Sequence, residues 1–380
     1  MKRMAPAFDI CIRGPGVVGQ ALALLLAQER LRVALVTSKP STNAASADVR
    51  AYAINARSKR LLESIKCWPA DAHVTAVERM DVFGDREGRV QFAAGSMSVD
   101  ALTWIVEVDS LEQSLSQAVR YQPNLTLVTD APDASLTVIC EGRNSALRET
   151  LGVQYETWPY GQRAIAARLD SQLAHGGVAR QWFHQGDILA LLPLSGAHGQ
   201  EVALVWSLPQ ERADELLQMD DVAFAQAVAT ASAHTLGPMT LTSPRQSWPL
   251  QSALAQRWFG RWPEAASTDD RAWVLAGDAA HTVHPLAGQG LNLGLADAQE
   301  LVALLRGKKA WRSVSDVRLL KRYQRSRRAQ AMATDLTLNG LQKLFMQEHE
   351  GWQRLRNLGM QGFERIDGLK SWVARQAMGV

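Results

Sequence analysis

The residues most able to do chemistry are glycines at set spacings. Gly14-Pro15-Gly16-Val17-Val18-Gly19 follows the apolar run Phe8–Arg13 and precedes a helical stretch from Gln20 to Glu29. The first glycine permits a tight turn, the second lets backbone approach a pyrophosphate, and the third lets helix pack on strand. Val17, Val18 and Gly19 start a helix whose N-terminus faces the anion. A second apolar run, Arg32–Thr37, closes a β-α-β unit of about 30 residues, the size of a dinucleotide-binding half. That run ends without the Asp or Glu that would hold an adenosine ribose hydroxyl, which leaves Thr37 and Ser38 as its hydrogen-bonding candidates.

The stronger pattern lies downstream. An apolar strand, Trp273–Ala276, runs into Gly277 and Asp278, then His281, His284, Pro285, Gly288, Gln289, Gly290, Leu291, Asn292 and Gly294. Asp278 can accept hydrogen bonds from a polyol, and the glycine-rich loop lets a flat ring lie against backbone before the next helix. A helix N-terminus aimed at that ring would stabilise negative charge developing on it. His281 and His284 form a His-x-x-His with no third ligand at suitable spacing, so no metal is expected. Both are expected to hydrogen-bond loop backbone and shape a pocket wall.

The downstream stretch closely resembles the Gly-Asp motif of single-component flavoprotein aromatic hydroxylases, and its His-Pro-Leu-Ala-Gly-Gln-Gly-Leu-Asn-Leu-Gly form resembles the ubiquinone-biosynthesis branch. The resemblance implies that Asp278 contacts the flavin ribitol and that Pro285, Gly288, Gln289, Gly290, Leu291 and Asn292 back the isoalloxazine. Asp48-Val-Arg50-Ala-Tyr-Ala-Ile-Asn55 is similar to the branch's Asp-x-Arg-x-x-Ala-Ile segment, which places Arg50 near the flavin. Cys140-Glu141-Gly142-Arg-Asn-Ser145-Ala-Leu-Arg148 resembles the family's Ala-Asp-Gly-x-x-Ser-x-x-Arg motif, linked to FAD and reduced nicotinamide nucleotide, with Glu141 where Asp is usual. Gly142, Ser145 and Arg148 inherit those roles. Ala190–Leu194, Lys321–Arg328 and Ala377–Gly379 also look like this branch.

The implied enzyme is an FAD-dependent monooxygenase that takes NAD(P)H and O2 as co-substrates. It would hydroxylate an aromatic, polyprenyl-phenol intermediate of ubiquinone biosynthesis through a flavin C4a-hydroperoxide. Proximity and water exclusion carry that chemistry, so no side chain is assigned proton transfer, and His284 and Pro285 serve as pocket wall. Two alternatives stay open: a related flavin hydroxylase or reductase with another apolar or aromatic substrate, and a noncatalytic accessory protein of a quinone-biosynthesis complex.

Elements must hold these motifs together. Val77–Phe83 and Arg89–Phe92 flank a Gly-containing loop, the pattern of a hairpin. Leu111–Arg120 reads as a helix and Ala134–Cys140 as a strand. Short apolar runs between about 160 and 208 suggest antiparallel strands. A polar helix is expected over Arg212–Ala231, and helices from Leu291 to the end. The fold class is mixed α/β: a Rossmann-like FAD-binding domain with a parallel sheet, interleaved with a mainly antiparallel substrate domain and C-terminal helices. Residues 1–72, 97–160 and 262–330 are assigned to the first domain, 73–96 and 161–261 to the second, and 331–380 to a helical tail.

Composition narrows the classes further. Across 380 residues, 41 basic side chains nearly balance 38 acidic ones, too even for a whole-protein nucleic-acid footprint. Cys11, Cys67 and Cys140 are odd in number and scattered, which fits a reducing cytosol rather than a disulfide framework. No run reaches the roughly 18 apolar residues of a membrane span. Residues 306–330 hold ten Arg or Lys against Asp316 alone. That imbalance reads as a solvated helix face, with a nicotinamide phosphate, a biosynthetic complex or peripheral contact at the inner membrane face as the alternatives. Leu338, Leu341 and Phe345 read as core stripe rather than a site for an isoprenoid tail.

Overall fold

The computed structural model describes residues 7–37, 48–84, 88–184, 186–262, 270–283 and 288–346. Ser38, His284 and Pro285 lie outside these residues. The opening β-α-β unit forms as read, with strands Phe8–Arg13 and Val33–Val36 parallel on either side of helix Val17–Gln28. That helix is apolar nearly all round and correspondingly buried, with Ala21, Leu22, Leu26 and Ala27 inside the main core.

Strand Phe8–Arg13 sits inside a six-stranded sheet drawn from distant parts of the chain. Ala134–Ile139 pairs parallel on one side of it, and Ala272–Leu275 pairs parallel beyond that. The register aligns Arg13 with Ile139 and Ile139 with Leu275. Gly14, Cys140–Gly142 and Gly277 therefore all leave the sheet from one edge, at the carboxyl ends of three neighbouring strands. Open parallel sheets bind ligands at that edge.

A larger, mainly antiparallel sheet runs Gln246–Ala255, Tyr155–Ser171, Glu201–Pro209, Asp187–Pro193, Val178–His184, Arg79–Phe83, Arg89–Ala93. The last two strands form the expected hairpin. Side chains alternate between the faces of a strand. Trp182, Leu189, Leu191, Leu204 and Trp206 pack a core with Phe224 and Val228 on one face. The cross-strand row Gln181, Ala190, Val205 lies on the other. The single helix expected over Arg212–Ala231 is two, Gln210–Gln218 and Asp221–Ala231. The break comes at Asp220, whose carboxylate accepts the Ala223 N–H at 2.8 Å and so caps a new helix start. A third, three-stranded sheet pairs Ala51–Ile54 and Val74–Val77 with Thr103–Glu107. Among the described residues no helix is long and apolar enough to cross a membrane.

His175 locks a turn at the end of the large sheet. Its Nδ1 accepts the Gly177 N–H at 3.1 Å and its Nε2 lies 2.9 Å from the Leu194 carbonyl, an arrangement only the neutral Nε2–H tautomer satisfies. Burial, with Arg180 nearby, holds its pKa below the usual 6.5. A depressed folded pKa means the unfolded chain takes the proton first, so stability is full above pH 6.5 and declines as pH falls below it. The limiting slope is about 1.4 kcal/mol per pH unit. Denaturant titrations between pH 7.5 and 5 are expected to show this loss in the wild type and a flatter profile in His175→Gln.

Candidate functional site

The first glycine turn is built by close contact. Gly14 has φ +113°, and a Cβ there would stand 2.3 Å from the Cys140 carbonyl oxygen. A Cβ on Gly19 would stand 2.0 Å from the Gly14 carbonyl oxygen. Gly16 has no heavy atom within 4 Å of where its Cβ would be, and it caps helix Val17–Gln28 without any side-chain hydrogen bond. The turn thus leaves open space in front of uncapped N–H groups, the arrangement an anionic pyrophosphate fills. The Val18 side chain packs behind it, 3.5 Å from a Cβ on Gly277 and 2.6 Å from one on Gly294. Those contacts clamp the two glycine clusters together. At the end of the second strand, the Thr37 N–H binds the Val128 carbonyl at 2.9 Å and its hydroxyl lies 3.5 Å from the same oxygen.

The Gly277–Asp278 turn is held from beneath by a buried carboxylate that sequence reading missed. Asp297 accepts the Gly277 N–H at 2.9 Å, His281 Nε2 at 2.7 Å and Arg327 Nε at 2.6 Å. His281 therefore binds a carboxylate rather than loop backbone. Arg327 also donates to the Leu293 carbonyl at 3.1 Å, and Trp258 stacks on the His281 ring at 5.2 Å. Burial alone would push the Asp297 carboxyl up, but His281 and Arg327 outweigh it and hold it below the usual carboxylate value. The available signal was an acid at a helical position among buried Leu295, Ala298 and Leu301.

A second brace joins the 140–148 segment to the same turn. Arg148 is buried and donates to the carbonyls of Ala279 at 3.1 Å and Arg143 at 2.7 Å, while its guanidinium sits 3.6 Å from the centre of the Tyr155 ring. The Tyr155 hydroxyl reaches the Asp278 carbonyl and Thr282 Oγ1, each at 2.8 Å. Glu141 is engaged as well: it takes Arg13 Nε at 2.9 Å, Ser145 Oγ at 2.7 Å and the Leu147 N–H at 3.3 Å. The longer side chain reaches across to Arg13 while still capping the short helix Ala146–Thr150.

Asp278 itself faces outward into a cleft, solvent-accessible yet ringed by protein, and that surrounding protein pushes its carboxyl above the usual value. Gly288 has φ +60°, and a Cβ there would meet the Ala53 Cβ at 2.9 Å, so Gly288 itself lies tight on strand Ala51–Ile54. Gln289 opens helix Gln289–Arg306, and Gly290 keeps open space around it. Asn292 donates to the Ala53 carbonyl at 2.8 Å and accepts the Asn55 N–H at 3.0 Å, so both ends of its amide stitch protein to protein. Arg50 pairs with Asp48 at 2.5 Å and lies 6.0 Å from the centre of the Trp248 ring.

Two cavities meet at this wall. The first, of about 290 Å³, lies between Gly288, Gly290 and Leu291 on one side and Ile105, Ala190 and Val205 on the other. The second, of about 680 Å³, opens between Gly142, Arg143 and the strand segment Gln246–Gln251. Arg50, Trp248, Asp278 and Val283 border both.

An uncapped helix start with open space beside Gly16, an accessible carboxylate at Asp278 and an open ring platform at Gly290 fit the pyrophosphate, ribityl chain and flat ring of FAD. Fold and site define a flavoprotein. The FAD binding domain family matches residues 103–335, and the chain belongs to that family. It is 28% identical to the 3-demethoxyubiquinol 3-hydroxylase of Escherichia coli (strain K12), with 98% of each chain covered. It is also 28% identical to the human mitochondrial ubiquinone biosynthesis monooxygenase COQ6, over 96% of this chain and 91% of that one. The solved p-nitrophenol 4-monooxygenase PnpA of Pseudomonas putida DLL-E4 shares the fold, with a TM-score of 0.75 at 13% identity and 99% of both chains covered. The protein is an FAD-dependent oxidoreductase of the monooxygenase class.

Proposed function

We propose that this protein hydroxylates an aromatic polyprenyl-phenol intermediate of ubiquinone biosynthesis, with NAD(P)H as reductant and O2 as oxidant. The observation that carries the reading is the first cavity, which sets the ring platform at Gly288–Leu291 against the apolar face of the large sheet. Its volume of about 290 Å³ is at the low end for small-molecule sites, roughly 300–1,000 Å³. One substituted ring fills it, and a long tail must leave it. Gln181 and Ser207 add polar groups to that face.

FAD, when bound, supplies the redox chemistry that activates oxygen. The chain's part is placement. Gly14–Gly19 take the pyrophosphate, Asp278 the ribityl hydroxyls, and Gly288, Gln289, Gly290 and Leu291 back the ring, with Arg50 beside it. Ser145 and Gly142 shape the adjoining turn. Ile105, Ala190, Val205 and Leu291 exclude water that would waste the activated oxygen as hydrogen peroxide. Peripheral membrane contact belongs to the same reading, supported by exposed Trp311 with Lys309 and Arg312 around its ring.

The test is an absorbance spectrum of the FAD-reconstituted protein, an anaerobic NAD(P)H titration with and without a short-chain polyprenylphenol, and product analysis after oxygen is admitted. Flavin bands, faster bleaching with the phenol and hydroxylated product in step with NAD(P)H consumed are expected. Absent flavin bands under saturating FAD, or peroxide as the only product, would overturn the reading.

A further inference from the structure

We infer that Trp248 is the partition between the aromatic pocket and the open cleft beside it, a positioning residue that holds the substrate ring and keeps water from the reacting face. The inference rests on the reading of the first cavity as the phenol site and adds to it a residue with a stated task.

Three observations carry it. First, the residues that border both cavities come from two sides. Arg50, Asp278 and Val283 belong to the segments that build the flavin wall, whereas Trp248 lies within a long strand of the large sheet, Gln246–Ala255. The centre of its ring is 6.0 Å from the Arg50 guanidinium, which Asp48 fixes by accepting Nε at 2.9 Å. The indole thus bridges from the sheet to the flavin wall, with a cation against its face. Second, the spaces on its two sides differ in character. Trp248 ends a cross-strand row that continues through Ala164 and Ser207 to Ile188. Its neighbour in that row carries only a methyl, so the indole stands above the sheet as a wall, and Ser207 and Ile188 beyond it border the aromatic pocket. On the far side Gln246, Gln251 and Thr282 make the larger cleft polar. Water in that cleft is kept from the ring site on the sheet side by the indole, and water that enters wastes activated oxygen. Third, the backbone fixes where the indole points. Pro249 follows Trp248 and confines it to extended backbone. Across the ladder, Pro159 pairs with Gln251 and Arg163 with Pro249, so residues 160–162 stand opposite Leu250 alone. Extra residues of this kind bend a strand and re-aim side chains beside them. Buried Gln162 pins the irregularity by donating to the Gly186 carbonyl at 2.9 Å.

Trp248→Ala and Trp248→Phe are compared with the wild type as FAD-loaded proteins. The alanine variant is expected to bind a short-chain polyprenylphenol about tenfold more weakly, the size of one lost aromatic contact. Its hydroxylated product should fall from stoichiometric with NAD(P)H to a minor share. Each uncoupled NAD(P)H then passes its two electrons, with two protons, to O2 as hydrogen peroxide. Trp248→Phe keeps an aromatic face against Arg50 and should recover most of the affinity and the coupling. FAD affinity should stay at the wild-type value in both variants, which separates a partition from a general loss of structure. In the phenol complex of the oxidised proteins, the bimolecular constant for acrylamide quenching of flavin fluorescence, taken from lifetimes, should rise severalfold in Trp248→Ala alone. Unchanged quenching and phenol affinity in Trp248→Ala, a parallel fall in FAD affinity, or a phenylalanine variant as impaired as the alanine one would each overturn the assignment. A wild type that binds the phenol but turns over to peroxide alone sinks the hydroxylase reading instead, and the quenching comparison still decides the role of Trp248.

Discussion

Alanine in place of Asp297 is expected to destabilise the protein by about 3–5 kcal/mol, the cost of leaving the partners of a buried ionic cluster uncompensated. Asp297 is fully buried, and His281 and Arg327 are each 2% exposed, so water cannot replace the lost carboxylate. The Gly277 N–H loses its acceptor at the same time. Asp297→Asn keeps the volume and one acceptor but removes the charge, and should recover only part of the loss. Because the Asp297 carboxyl is held below its usual value, its stabilising share is present above about pH 3.8, its unfolded value. That share disappears as pH falls through the folded value. Urea titration of the three proteins at pH 7 measures the difference, and flavin absorbance reports the turn that Asp297 supports. A loss below about 1 kcal/mol, the ordinary size for a point substitution, would mean that the cluster is dispensable and that the Gly277 turn is held by its neighbours alone.

That cluster also marks where sequence reading ran out. Gly14 and Gly19 were legible because each answers a local backbone demand, a positive φ at Gly14 and a contact too close for a Cβ at Gly19, whereas Gly16 meets no protein atom within 4 Å. The parallel β-α-β unit and the hairpin at Arg79–Ala93 were legible from periodicity and turn residues for the same reason. Asp297, His281, Arg327 and Tyr323 meet only through tertiary packing, with the Tyr323 hydroxyl on the Leu275 carbonyl at 3.0 Å. Spacing along the chain carries no trace of such a meeting. The third sheet was missed in the same way, since Ala51–Ile54, Val74–Val77 and Thr103–Glu107 are short and pair across long loops.

Side-chain roles were harder to read than backbone ones. The Asn292 amide sits in the ring-backing stretch, yet both of its ends are used to tie Ala53 and Asn55 to the helix. Glu141 stands where Asp is usual, and its longer side chain is matched by Arg13, a partner on the neighbouring strand that sequence separation hides. What a glycine permits is written in its type, whereas what a polar side chain does depends on whether its hydrogen bonds are already taken.

The glycine turn offers the sharpest separation of scaffold from cofactor site. Gly19→Ala places a methyl 2.0 Å from the Gly14 carbonyl oxygen, a backbone atom that cannot step aside without moving the turn. A shift of about 1 Å there is expected to cost roughly 100-fold in FAD affinity. It should lower stability as well, because helix and strand no longer meet. Gly16→Ala meets no protein atom within 4 Å. Its apoprotein should therefore unfold within about 0.5 kcal/mol of wild type, as surface substitutions do, while FAD, the one body expected in that space, binds about tenfold more weakly. Flavin fluorescence titration against the apoproteins, paired with urea unfolding of the same samples, checks both. If Gly16→Ala binds FAD like wild type, the pyrophosphate does not cross the second glycine. The uncapped start of helix Val17–Gln28 would then need another ligand to satisfy its N–H groups.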